Sequence, residues 1–344
     1  MTRVTIVTDA WRPQVNGVVL TIERTRRELM RLGAEVVLVT PELFRTVPMP
    51  TYPEIRLSLP RPRALGRALA AAQPSYVHIA TEGPLGFLAR RWCRKHGIAF
   101  TTSYHTRFPE YVAARAPLRL SWLYALVRRF HNGGQGCMVA TESLERELKG
   151  RGFLRLMQWS RGIDAEEFHP ATRMLDLPRP IFMNVGRVAV EKNIEAFLDL
   201  DLPGTKVVVG DGPAREALQR RYPGVVFTGA KFGADLVRHF ASADVFVFPS
   251  RTDTFGNVLL EALACGVPVA AYPVTGPLDI LAGAGGGVGV LDEDLGKAAL
   301  GALAMSREDC RSHAMRFSWE ASARQFLANV RLANGEAPGQ ASPA

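Results

Sequence analysis

Residues 246–279 read FVFPSRTDTFGNVLLEALACGVPVAAYPVTGPLD. The apolar run Val245-Phe246-Val247-Phe248 predicts a buried parallel strand that stops at Pro249-Ser250. A short polar loop, Arg251-Thr252-Asp253-Thr254, leads to Phe255-Gly256-Asn257, which opens a helical run from Val258 to Cys265. Gly266 ends that helix in the position favoured for a left-handed cap. A second apolar strand, Val267 to Tyr272, follows at once, completing a βαβ unit with a glycine at a helix N-terminus.

The first turn of a helix offers N–H groups without intrahelical partners and a partial positive charge. Gly256 removes side-chain bulk there, so an anion can approach the backbone closely. Asp253 lies just before the helix and Glu261 within it. Two carboxylates beside an anion site make sense if they accept hydrogen bonds from hydroxyl groups flanking it. A phosphate between two hydroxylated rings is a nucleotide sugar. From the βαβ unit alone a plainer reading is equally open: Asp253 caps the helix and Glu261 is solvated surface.

The stretch resembles the donor-site signature of the retaining GT-B glycosyltransferases of family 4. That pattern has two acids separated by seven residues, with Phe-Gly after the first and a helix carrying the second. Here it is Asp253-x7-Glu261 with Phe255-Gly256, the first acid being Asp where the family usually has Glu. The resemblance implies an α/β architecture, two Rossmann-like doubly wound domains facing across a cleft. It extends over roughly residues 1–333, and the element order independently implies two doubly wound α/β domains.

The 344 residues suffice for two domains of ordinary size. Charge is unevenly placed. Residues 1–150 carry 22 basic and 11 acidic side chains (22 − 11 = +11), while residues 151–344 carry 20 and 22 (20 − 22 = −2). A basic first half suits anionic lipid headgroups, a phosphorylated substrate or nucleic acid. Nucleic acid is the poorest of these, because no recognition motif accompanies the charge. Cys93, Cys137, Cys265 and Cys310 are widely spaced and form no CxxC or Cys/His cluster, which argues against a metal site or disulfide framework and suits a reducing cytoplasm. The N-terminus runs directly into a strand, and no run of about 18 apolar residues offers a membrane span.

Along the first half, Val4 to Thr8 predicts a strand, and a loop ending in Asn16-Gly17 leads to a helix from about Leu20 to Leu32. Gly17 is either a turn residue or, as the resemblance implies, a glycine near the reaction centre. The loop lacks G-x-G-x-x-G, which argues against a nicotinamide dehydrogenase. Residues 41–75, rich in Pro and Arg, read as a connecting region with a basic face. His105 follows the strand Ala99 to Ser103, where α/β sheets place ligands; Ser103-Tyr104-His105-Thr106 resembles the family's strand-end histidine, which lies against the donor sugar. The run 118–131, LRLSWLYALVRRFH, predicts a helix apolar on most sides, suited either to burial or to a bilayer interface.

Arg161-Gly162-Ile163-Asp164 and Phe168-His169-Pro170 resemble the family's approach to its interdomain linker. The expected division is therefore an acceptor-binding domain over 1–170, a linker over 171–179, a nucleotide-sugar domain over 180–314, a helix over 315–333 returning to the first domain, and a disordered tail over 334–344. In the second domain Gly186-Arg187 follows a strand and Glu191-Lys192-Asn193 starts a helix. Cations at a helix start oppose its dipole, which favours an anionic ligand between them. In the family this arginine and lysine meet the diphosphate. Gly210-Asp211-Gly212-Pro213 is a tight turn, and in relatives the turn at Gly229 brushes the nucleobase.

The resemblance thus implies transfer of a hexose from a GDP- or UDP-sugar with retention. Arg187 and Lys192 would neutralise the leaving diphosphate with help from the backbone near Gly256 and Asn257. Asp253 would grip sugar hydroxyls, Glu261 the ribose, and His105 the sugar from the first domain. With two cations at the diphosphate, no metal and no further cofactor are expected. The basic, aromatic first domain favours an anionic membrane surface and a lipid acceptor such as diacylglycerol or a phosphoinositide, with the protein cytoplasmic or peripheral on the inner membrane. A soluble or polysaccharide acceptor and a catalytically silent sugar-binding relative are the alternatives.

Overall fold

The computed structural model describes the chain except residues 1, 15, 50–51, 114–116 and 337–344, and leaves the side chains of 49 and 52–55 undescribed. The expected tail lies outside the described residues from 337 onward. The chain divides into two compact units, one of residues 1–161 with 319–344 and the other of residues 162–318.

The first unit is built on a six-stranded parallel sheet of β1 (Arg3–Val7), β2 (Glu35–Val39), β5 (Tyr76–Ile79), β6 (Phe100–Ser103), β7 (Gly136–Val139) and β8 (Leu156–Gln158), in spatial order β2-β1-β5-β6-β7-β8. The strands β3 (Thr46–Met49) and β4 (Tyr52–Ser58) form a separate antiparallel hairpin. The helices are α1 (Gly17–Arg31), α2 (Pro62–Ala72), α3 (Pro84–His96), α4 (Phe108–Ala113), α5 (Leu120–His131) and α6 (Glu142–Gly150). Strands β1, β5, β6 and β7 are almost wholly buried, as a parallel sheet covered on both faces requires. The C-terminal helix, Trp319–Ala333, packs Phe326 and Val330 into the core with Val4, Ile22 and Trp159.

The second unit repeats the scheme with β9 (Ile181–Val185), β10 (Thr205–Val209), β11 (Val226–Gly229), β12 (Val245–Phe248), β13 (Val269–Ala271) and β14 (Gly289–Leu291). Their order is β11-β10-β9-β12-β13-β14, all parallel. This is the dinucleotide-fold order, in which the chain winds outward from β9 and then restarts on the other side at β12. Helices α7 (Glu195–Leu198), α8 (Arg215–Arg221), α9 (Gly233–Ser242), α10 (Asn257–Ala264), α11 (Pro277–Leu281), α12 (Leu295–Ala302) and α13 (Arg307–Ala314) cover the sheet. Phe182, Val208, Val245 and Val247 fill the core beneath α7 and α12.

Four expectations need correction. The stretch 41–75 is not a mere connection: it holds the hairpin and α2, whose Leu65 and Leu69 are fully buried. Helix α1 begins at Gly17, because Asn16 accepts hydrogen bonds from the N–H groups of Val18 and Val19 and starts it a turn early. Lys192 does not begin a continuous helix. Val190–Lys192 is a single 3-10 turn, and Asn193, left-handed at φ 52°, separates it from α7. Finally, the first unit ends at Arg161 rather than at 170. Residues beyond it belong to the second unit: Ile163 pairs with Ser318, and Arg311 reaches the carbonyls of Phe168 and Ala165.

Candidate active site

Strands β9 and β12 are neighbours in register, Val245 beside Phe182 and Phe246 beside Met183. Their connections depart in opposite directions, which makes the carboxyl ends of this strand pair the topological switch point of the sheet. Gly186 and Arg187 follow β9, and Asp253, Phe255 and Gly256 follow β12. Gly186, Arg187, Asp253, Phe255 and Gly256, predicted donor residues, therefore flank this switch point, while Gly210 and Gly229 end the strands beyond β9.

Three glycines close the ends of three adjacent strands. The N–H of Gly210 donates to Gly229, and that of Gly186 donates to Val209. A Cβ at Gly210 would overlap the carbonyl oxygen of Gly186, and one at Gly212 would overlap that of Val188. These glycines let two backbone turns touch, which puts Gly186 and Gly210 in one continuous backbone floor. Gly229, at φ 76°, lies under the Arg215 guanidinium, which Asp211 holds at 3.0 Å.

The loops after β9 and β12 are laced together. Asn193 Nδ2 donates to the Pro249 carbonyl at 3.0 Å, and Thr252 Oγ1 to that of Glu191 at 3.1 Å. Lys192 Nζ lies 2.5 Å from Asp253 Oδ1. Among the described residues, the other carboxylate oxygen, Asp253 Oδ2, is buried and accepts no hydrogen bond, and the buried Ser250 Oγ likewise has no partner. Sequence reading missed Ser250, Thr252 and the lacing role of Asn193. An Asn next to the lysine, able to adopt a left-handed backbone, was the available signal.

Helix α10 starts at Asn257, with Gly256 as its N-cap at φ 88° and no side-chain cap. Asp253 therefore does not cap this helix, which removes the plainer reading of that residue. Asn257 and Glu261 stand four apart and share one helix face. Phe255 is only 5% exposed, so its side chain packs inward and only its backbone could face a ligand.

In the first unit, Gly17 is exposed at the first position of α1. His105 is held by Arg161, whose guanidinium donates to Nδ1 at 3.2 Å. Burial, then the charges of Arg161, His78 and His131, push the His105 imidazole well below the usual histidine range. Asp9, unremarked in the sequence, accepts from the N–H groups of Leu85 (2.8 Å) and Gly86 (3.2 Å) and from the Thr81 hydroxyl (3.0 Å). The place of a Cβ on Gly83 is filled by this carboxylate.

Residues 15–167 match the family described as Glycosyltransferase Family 4, and residues 179–304 that described as Glycosyl transferases group 1. The chain is 32% identical over 307 residues to a GDP-mannose-dependent alpha-mannosyltransferase of Mycobacterium tuberculosis, covering 81% of each. The chain belongs to glycosyltransferase family 4. This glycosyltransferase is also 28% identical to an alpha-monoglucosyldiacylglycerol synthase of Streptococcus pneumoniae, over 78% of its own length and 71% of the relative's. Sucrose-phosphate synthase of Thermosynechococcus elongatus superimposes with a TM-score of 0.77 at 20% identity, over 97% of this chain and all of that one, and the fold is GT-B.

Of the acids in Asp199-Leu200-Asp201 and Asp292-Glu293-Asp294, Asp199 accepts from Tyr222, Asp292 pairs with Lys297, and Asp294 caps α12. All four cysteines are free and buried. No helix among the described residues is long and apolar enough to cross a membrane. On α5, Leu123, Tyr124, Val127 and Phe130 face inward, while Trp122 (67% exposed) and Leu126 (49%) face outward with Leu118 just before the helix. Trp122 and Leu126 stand four apart on one face of the helix, with Arg119 against Trp122.

Proposed function

We propose that this glycosyltransferase moves a hexose from a nucleotide diphosphate sugar to a lipid acceptor, keeping the anomeric configuration. The observation that carries the reading is the Lys192–Asp253 pair at the switch point, with Asp253 Oδ2 buried and unsatisfied. A buried acceptor without a partner costs about 1–3 kcal/mol, which a sugar hydroxyl would recover. Lys192 has three N–H donors, so it can keep Asp253 and still meet a phosphate oxygen. Arg187 and Lys192 neutralise the charge that develops on the departing diphosphate, and the first N–H groups of α10 add to it. Glu261, on the face of α10 shared with Asn257, takes the ribose hydroxyls. His105 is assigned a hydrogen bond to the sugar. These side chains meet the diphosphate charge without a metal, and no cofactor beyond the donor is assigned. The departing phosphate itself assists the incoming acceptor hydroxyl.

The outward pair Trp122 and Leu126 on α5, with exposed Leu118 just before the helix and arginines beside them in a basic half-chain, suits peripheral docking on an anionic bilayer and so a lipid acceptor. The relatives' names put GDP-mannose first among donors and diacylglycerol glycolipids among acceptors to try. Thermal shift with GDP, UDP and their hexoses, followed by transfer assays on lipid extract, tests the reading. Transfer that survives in Lys192→Ala, or a folded protein that binds no nucleotide sugar, would overturn it. Failure to sediment with anionic vesicles at any ionic strength would remove the lipid acceptor alone.

A further inference from the structure

Arg161 is 4% exposed, and among the described residues it forms an ion pair with no carboxylate. A buried charge in that condition is unfavourable unless its geometry serves something. One nitrogen, NH1, donates to the carbonyls of Trp159 (2.5 Å) and Ser160 (3.1 Å), and the guanidinium carbon lies 4.4 Å from the centre of the Trp159 ring. Burial lowers the Arg161 pKa to about 9, so the group is a cation at neutral pH. The backbone from which it projects is braced by the C-terminal helix. Gln325 accepts from the Ser160 N–H (2.8 Å), Ser322 donates to the Ser160 carbonyl (2.7 Å), and Asn329 donates to that of Gln158 (2.7 Å). The other nitrogen, NH2, meets His105 Nδ1 at 3.2 Å, and the His105 ring stands edge-on to Trp159 with centroids 5.5 Å apart.

A guanidinium has only donors. Its contact with Nδ1 therefore requires an unprotonated nitrogen there, and a neutral imidazole with Nδ1 bare carries its proton on Nε2. We propose that Arg161 is a positioning residue that holds His105 as the neutral, Nε2-protonated tautomer, so that His105 donates a hydrogen bond and does not serve as a base. This rests on the reading of His105 as a sugar contact. The surroundings agree. His78 is neutral, its ring between Thr101 and Ser103, and His131 is the charged histidine, paired with Glu82 at 2.8 Å. A second proton on His105 would stand beside the cations of Arg161 and His131. The alternative use of such a histidine, as general base, would need the opposite arrangement, a carboxylate on Nδ1.

The test uses the full chain with labelled histidine, reading imidazole nitrogen shifts at about pH 5 and about pH 8, the range in which an ordinary histidine titrates. The wild-type protein is expected to show His105 neutral and Nε2-protonated at both. In Arg161→Met the tautomers should mix or the ring should titrate within that window, and Arg161→Lys should restore part of the wild-type signal. With a turned-over donor, Arg161→Met should lower kcat by less than the ~100-fold that losing a direct donor costs. It should also add an acid limb to the pH profile, and cost nothing further in a His105→Ala background. A protonated or Nδ1-protonated His105 in the wild type overturns the proposal, as does an undiminished Arg161→Met effect without His105. Absence of transfer with every donor would count against the functional reading instead, because the tautomer is read without turnover.

Discussion

The two parallel sheets each offer a switch point, and the two are finished differently. In the first unit, the direction in which successive strands are added reverses between β1 and β5, and the helices that follow these two strands across the switch, α1 and α3, are capped by side chains. Asn16 covers the start of α1, and Asp9 reaches across to fill the start of α3. In the second unit the helix beside the switch, α10, opens on Gly256 with no side-chain cap, and the nearby carboxylate of Asp253 is turned to Lys192 instead. The same physics that makes a helix N-terminus attract anions is used internally in the first case and left available in the second. Topology offers the place, and the capping residue decides whether a ligand can use it.

Exchanging these finishes gives the largest expected effect. Gly256→Asp supplies the second unit with a carboxylate where the first has Asp9, and forces a side chain into a left-handed backbone against Leu259 and Phe248. Nucleotide-sugar affinity should fall on the order of 100-fold, the scale of losing a donor to an oxyanion, measured by calorimetry. A folded Gly256→Asp protein with unchanged affinity would erase the distinction between the two switch points. In the reverse direction, Asp9→Ala should destabilise the first unit by about 2 kcal/mol in denaturant melts, with nucleotide affinity kept.

Two buried histidines of the first unit, His78 and His131, sharpen the comparison. Burial, then the charges of Arg161 and His131, lower His78 to about 3 in the fold, below its ordinary 6.5. The stability it contributes is present above about pH 6.5 and is lost as pH falls toward 3, by about 1.4 kcal/mol per pH unit near pH 5. Burial opposes charge on His131, yet the Cys137 thiol and the Glu82 carboxylate raise it to about 10. Its contribution is complete below about pH 6.5 and is lost as pH rises toward 10. Melts of the first unit's tryptophan signal should therefore weaken on both sides of pH 6.5. A stability flat from pH 4 to 9 would contradict this balance. The smallest effect is expected from Asn16→Ala, about 1 kcal/mol of stability from one lost cap.

Periodicity was legible wherever a strand is covered on both faces. Val245 to Phe248 appears at its read boundaries, because all four of its apolar residues are buried in the sheet. Helix α2 was hidden in 41–75 because its apolar residues are separated by arginines whose charged heads stay at the surface. The 3-10 turn at Lys192 was hidden because Asn193 breaks a helix by backbone conformation, which composition does not display.

The alternation of strands and helices outside residues 41–75, the two-unit plan and the family followed from sequence alone, since hydrophobic period and the spacing of Gly186, Arg187, Lys192, Asp253 and Glu261 are local properties of the chain. What required the folded structure were the pairings between distant segments. Lys192 meets Asp253 only because β9 and β12 are neighbours across the switch, and Arg161 meets His105 only because β6 and β8 end on the same edge of one sheet. A pairing set by which strands adjoin is a property of the sheet, and no single stretch of the chain contains it.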